Sequence, residues 1–233
     1  PVLIQVDMPY LKYLGLPGEA HFGAHSVVVA GIDEEKRIVS IADTAFKDLQ
    51  RATLKELEEA RASRAKPFPP ENKWFTFDFP PRLTPIDRAT RKAIGKTVDN
   101  MLYPPIRSLG VKGIRRFAEE ILKWPKEYPP EKFPSLYEVA YGFIEEYGTG
   151  GGCFRYLYSK FLKEASEILE DERLADLSKE YHKAGEKWTK VAHLIREIPR
   201  MAKRNAEEAW RILLEIADDE KNTLISLGEV AGE

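Results

Sequence analysis

The sequence predicts an α+β protein: a partial antiparallel sheet over residues 1–82, followed by a mostly α-helical domain over residues 83–233. Three observations predict it. Short runs dense in valine and isoleucine lie before residue 45. A capping box sits at Thr53. From residue 84 onward apolar residues recur at helical spacing.

Taken in order, Val2-Leu-Ile-Gln-Val-Asp7 reads as the first strand. Because the chain opens at Pro1 already inside that strand, a segment upstream is expected to complete the sheet. His25-Ser-Val-Val-Val-Ala-Gly-Ile-Asp33 reads as a second strand, buried and central through its valine run, with Gly31 at its exit. A turn leads into Arg37-Ile-Val-Ser-Ile-Ala-Asp43, the third strand. Thr53-Leu-Lys-Glu56 starts a helix, because the Thr and Glu side chains can satisfy its exposed first amides. Ala65-Lys-Pro-Phe-Pro-Pro70 is a loop, and Lys73-Trp-Phe-Thr-Phe-Asp-Phe79 alternates well enough to be a fourth strand.

Thr84, Pro85 and Asp87 mark a helix start, and Pro104-Pro105 stops that helix near Leu102. Further helices are expected over residues 111–124, 135–147, 154–169, 174–198 and 200–227, with a proline-rich connector over 125–134 and a break at Pro199. Helices of this length make a bundle-like layer, and the extent of helical surface suggests a homodimer.

Composition narrows the function classes. A formal net charge of −2 argues against a nucleic-acid binder that relies on phosphate contacts. One cysteine cannot form an internal disulfide. No signal peptide and no apolar stretch long enough for a membrane crossing are present, so a cytoplasmic location is expected, with no membrane partner. Abundant Lys, Arg and Glu beside scarce Gln and Asn resemble the bias of proteins from hot environments.

The chemistry points to His25 and Asp43. Antiparallel strands joined by a hairpin bring their far ends side by side. A His at the start of one strand and an Asp at the end of the next therefore become neighbours. A His oriented by an Asp is two-thirds of a nucleophilic triad. Each residue alone is also ordinary at a strand end; the pair is what carries the reading. His21, four residues earlier in a glycine-containing loop, reads as a surface histidine, with substrate contact as the other reading.

The stretch from Pro1 to about Arg64 resembles the second half of the papain-like fold in the butirosin biosynthesis protein H family. The matching runs are Val2 to Asp7, Tyr10-Leu-Lys-Tyr-Leu14, His21-Phe-Gly-Ala-His25, Val27-Val-Val-Ala-Gly31 and Ile41-Ala-Asp43. The hairpin also resembles that of double-glycine leader peptidases. The resemblance implies a Cys-His-Asp site with His25 as general base and Asp43 as its orienting partner. The family's cysteine lies upstream of every residue in this chain, so the polypeptide alone is expected to be inactive. The name-giving member moves an acyl group from a carrier-protein thioester to an aminoglycoside amine. Tyr147-Gly-Thr-Gly-Gly-Gly-Cys-Phe-Arg-Tyr-Leu-Tyr158, with the helix around Trp188, resembles an uncharacterised helical domain that commonly follows the butirosin H type domain.

The glycine run could bind an anion at a helix start, which makes Gly150, Gly151, Gly152 and Arg155 candidate substrate-binding residues. Tight packing of the helix start against the β domain is the plainer reading. Cys153, near a helix N-terminus, would have a lowered pKa, yet packing explains a small residue there as well. Tyr156, Tyr158, Tyr181 and Trp188 read as core positions. His182 and His193 stand eleven apart without accompanying ligands, so no metal and no other cofactor is expected.

The expectation is thus thiol-dependent acyl transfer or amide hydrolysis on a small-molecule or peptide acyl substrate. An acyl carrier protein or a CoA thioester is a candidate donor. The rival is a non-catalytic binding or scaffold protein that retains the fold.

Overall fold

A computed structural model describes residues 1–232. The fold is α+β, an antiparallel sheet followed by helices. The chain divides into two compact units, Pro1–Arg82 and the segment from Leu83 onward.

The first unit carries five strands: β1 (Val2–Val6), β2 (His25–Asp33), β3 (Ile38–Ala42), β4 (Gln50–Thr53) and β5 (Trp74–Phe75). Their order is β4-β3-β2-β1-β5, with every neighbouring pair antiparallel. The period of two along each strand selects one face for burial. Ile4, Val6, Val27, Val39, Ile41 and Ala52 form its core with Leu57 and Ala60 of α1 (Leu54–Ala62). The capping box at the start of α1 is complete: the Glu56 amide donates to Thr53 Oγ1 at 3.1 Å and the Thr53 amide to Glu56 Oε2 at 2.7 Å. Two short 3₁₀ turns, Met8–Tyr10 and Lys12–Leu14, follow β1. Leu11 between them is fully buried and fastens this segment to the core.

Three expectations for this unit need correction. The β2 strand is central but not buried throughout: Val27 is buried in the core, and Ala30, Gly31 and Ile32 are exposed. Gly31 does not end the strand; the β2–β3 register shifts between Val29 and Gly31, so it sits at a bulge. The aromatic run after Lys73 supplies a two-residue strand, and Phe77 and Phe79 stack on each other, largely exposed. Strand β4 has no strong strand signal; its residues Gln-Arg-Ala-Thr are held there by pairing with β3.

The second unit contains α2 (Ile86–Leu102), α3 (Gly110–Ile121), the short α4 (Trp124–Glu127), α5 (Pro134–Glu145), α6 (Arg155–Leu169), α7 (Glu172–Arg196) and α8 (Ala202–Gly232). The long helices α7 and α8 form its spine: α5 and α6 pack on α7, and α2 and α3 pack on α8. Leu162, Leu174, Val191, Ile195, Leu213, Ile216 and Leu224 are among its fully buried side chains. Helix α2 begins one residue past Pro85, and no side chain caps it, contrary to the expected role of Thr84. No helix is long and apolar enough to cross a membrane among the described residues.

Candidate functional site

The start of β2 and the end of β3 bring His25 and Asp43 together. Asp43 directly follows β3, and Val28 pairs with Ala42 across the two strands. The Nε2–H of His25 donates to Asp43 Oδ2 at 2.8 Å. An ionised carboxylate accepts only, so the proton on this contact belongs to the imidazole. In the neutral ring Nδ1 is then the lone-pair nitrogen, on a side chain 18% exposed.

Asp43 itself is buried and held from three sides. Tyr13 Oη donates to the same Oδ2 at 2.9 Å, and the Ala45 amide donates to Oδ1 at 3.1 Å. Burial works to raise the carboxyl pKa. The bonds from His25, the Ala45 amide and Tyr13 outweigh it and hold the group below the usual carboxylate range. Burial, with Asp43 adding to it, pushes the Tyr13 phenol up, so it stays a donor. Tyr13 is placed by the Lys12–Leu14 turn, by Leu11, and by an edge-on contact with Phe46 at 5.6 Å. Its role was hidden in the sequence because its partner lies thirty residues away.

The depressed Asp43 pKa fixes a sign. Its contribution to stability is present above the unfolded carboxylate value, about pH 4, and is lost as the pH falls through the folded value. Asp43→Asn is therefore expected to flatten the acid limb of the first unit's unfolding, read by fluorescence between about pH 5 and pH 2.

A second His–Asp contact lies nearby in sequence. Asp7, just after β1, is fully buried. It accepts from His21 Nδ1 at 2.7 Å, from the Phe22 amide at 2.8 Å and from Ser63 Oγ at 2.6 Å. Its own amide donates to Ala60 O at 2.8 Å. His21 is thus no free surface histidine: one nitrogen is committed and the ring is one-third exposed. An Asp at a strand end facing a His-containing loop is the same signal that exposed Asp43, and it was available in the sequence.

In the helical unit the expected anion site takes another form. The Gly151 amide donates to Thr149 Oγ1 at 3.1 Å, and the Gly152 amide donates to Glu145 Oε2 at 3.0 Å. Thr189 Oγ1 donates to the same Glu145 carboxylate at 3.0 Å. An incoming anion would meet that negative charge. Gly152 serves close packing against α7. Gly152 has φ +55°, and a Cβ there would lie 2.8 Å from Gly185 Cα. Gly152→Ala is expected to destabilise this unit by at least about 1–2 kcal/mol from backbone conformation alone, measurable by urea unfolding.

Arg155 is likewise committed inside the bundle. Its Nε and Nη2 donate to Glu220 at 2.7 and 2.8 Å, and its Nη1 donates to Cys153 O at 2.7 Å. Its guanidinium lies over the Trp188 ring at 5.1 Å, and Trp188 Nε1 donates to Glu220 at 3.1 Å. The guanidinium expected to meet a substrate thus spends its hydrogen bonds on Glu220 and the Cys153 carbonyl. Cys153, with φ +50° and half-buried, has its thiol pKa pushed up by burial despite Arg155, opposite to the expected lowering. Tyr181 and Trp188 are core residues, as expected.

Two family models match different stretches of the chain. A family model described as "Domain of unknown function (DUF4872)" matches residues 55–227. The chain belongs to the DUF4872 family. Residues 1–44 are in addition similar to "Butirosin biosynthesis protein H, N-terminal". That match spans Asp7, Tyr13, His21, His25 and Asp43, so both His–Asp contacts fall within it. The DUF4872 match begins within α1 and includes β5, so the family boundary falls before the boundary between the compact units. No curated protein matches this chain.

Proposed function

We propose that the first unit of this DUF4872 protein supplies the His–Asp half of a papain-like thiol site for acyl transfer or amide hydrolysis. The observation that carries this reading is the His25–Asp43 contact at 2.8 Å on a buried, triply hydrogen-bonded carboxylate, which leaves Nδ1 as the unprotonated nitrogen. The similarity of residues 1–44 to the butirosin protein supports it.

In this reading the nucleophile is an upstream cysteine, since burial raises the pKa of the one thiol here, Cys153, and disfavours its thiolate. His25 Nδ1 takes the proton of the thiol, and the thiolate attacks the acyl carbonyl. The leaving group departs with that proton, giving an acyl-thioester. The acceptor, water or an amine, then gives a proton to His25 and attacks the carbonyl, and the thiolate leaves. Asp43 holds the Nε2–H tautomer and stabilises the imidazolium. Tyr13 fixes the carboxylate in that position. The donor is a small-molecule or peptide acyl compound, with a carrier-protein or CoA thioester as the activated form. Homodimerisation remains part of this proposal.

The test is alkylation of the protein expressed from its complete coding sequence. An unpartnered thiol is only a few per cent thiolate at pH 7, so an activated one reacts with iodoacetamide roughly tenfold faster or more. The labelled peptide should map to one cysteine, and His25→Ala should abolish the excess rate. Labelling indifferent to His25 would mean that the fold is kept for binding.

A further inference from the structure

Two buried carboxylates flank the start of β2. Val6 pairs with His25 across β1 and β2, which places the Cα of Asp7, the next residue, roughly 6 Å from that of His25. Asp43 lies on the opposite flank, past the end of β3. Each carboxylate orients one imidazole, and by opposite nitrogens: Asp43 takes the Nε2–H of His25, and Asp7 takes the Nδ1–H of His21. His25 therefore offers Nδ1 and His21 offers Nε2, both at the same end of the sheet.

We propose that His21 is a second functional histidine, whose Nε2 accepts a hydrogen bond from the attacking acceptor and holds it against the acyl group. This rests on the reading of His25 and Asp43 given above. A purely structural role would need only a donor to Asp7, and Asp7 already has the Phe22 amide and the Ser63 hydroxyl. An imidazole adds a fixed acceptor nitrogen on an edge one-third exposed, with the Tyr10 ring 6.0 Å away as a wall. Water or a primary amine bonded to Nε2 through one hydrogen keeps its lone pair free for attack, while its second proton goes to His25 Nδ1 on attack. No net proton transfer to His21 is required. Asp7 acts through His21 as a positioning residue.

His21→Asn separates the two roles. The Asn amide can donate to Asp7 from near the position of Nδ1, but it has nothing in place of Nε2. With p-nitrophenyl acetate and the complete coding sequence, the nitrophenolate burst reads acylation and the steady state reads deacylation. The expected result is a burst rate within twofold of the parent, which also reports a folded site. Deacylation should fall at least tenfold, to water and to added propylamine alike. Unchanged deacylation, or an equal loss in both phases, would overturn the role of His21. A burst that survives in His25→Ala would overturn the thiol reading itself, and the role of His21 with it.

Discussion

Glu220→Ala is expected to destabilise the helical unit by about 3–5 kcal/mol, the typical cost of leaving a buried charge without its partner. Glu220 is 1% exposed and receives two hydrogen bonds from Arg155 and one from Trp188. Burial works against the Arg155 charge, and the adjacent carboxylate more than offsets it, holding the guanidinium pKa above its usual value. Removing the carboxylate strands a guanidinium whose other contacts are a carbonyl and the face of an indole. For a domain whose whole stability is of order 5–15 kcal/mol, that is a large fraction. Urea unfolding followed by helical circular dichroism measures it. The double variant Arg155→Met with Glu220→Leu should recover much of the loss, because it removes both charges and keeps the volume. A single-variant loss below about 1 kcal/mol would contradict a buried, water-excluded pair.

Asp43→Asn is expected to lower kcat for acyl turnover by roughly 10⁴-fold, the scale seen when a catalytic histidine loses its orienting carboxylate. The cause is tautomeric. An Asn carboxamide can turn its NH₂ toward Nε2, which then becomes the acceptor and moves the ring proton to Nδ1. The lone pair needed for the thiol proton disappears. Tyr13→Phe should cost far less, about 1 kcal/mol or under tenfold, since Asp43 keeps His25 and the Ala45 amide. Steady-state kinetics of the two variants therefore separate holding the tautomer from holding the carboxylate. A Tyr13→Phe loss equal to that of Asp43→Asn would contradict this division.

The His25–Asp43 contact was legible because a hairpin turns eighteen residues of separation into adjacency, and the β-branched runs on both sides set the register. The capping box at Thr53 was legible because both partners lie within one turn. Long-range contacts were not. Tyr13 reaches Asp43 from a 3₁₀ turn whose position depends on burial of Leu11, and Ser63 reaches Asp7 across 56 residues. The packing partner of the glycine run was hidden for a related reason. A glycine run before a helix suits an anion, and only the fold brings Glu145 to the Gly152 amide and Gly185 against Gly152. Arg155 reads as a partner for a carboxylate or a phosphate, and only the fold shows that α8 supplies the carboxylate, Glu220, sixty-five residues on. Strand β4 shows the same limit, as polar residues take extended form because β3 offers a paired edge.

The most direct test of the central claim is the tautomer of His25, read by long-range ¹⁵N–¹H correlation NMR on this chain at a pH where the ring is neutral. The site as described requires the proton on Nε2, with Nδ1 showing the shift of an unprotonated nitrogen, and requires Asp43→Asn to reverse that assignment. A wild-type ring protonated on Nδ1, or one averaging between the two forms, would mean that Asp43 does not hold His25 as a base.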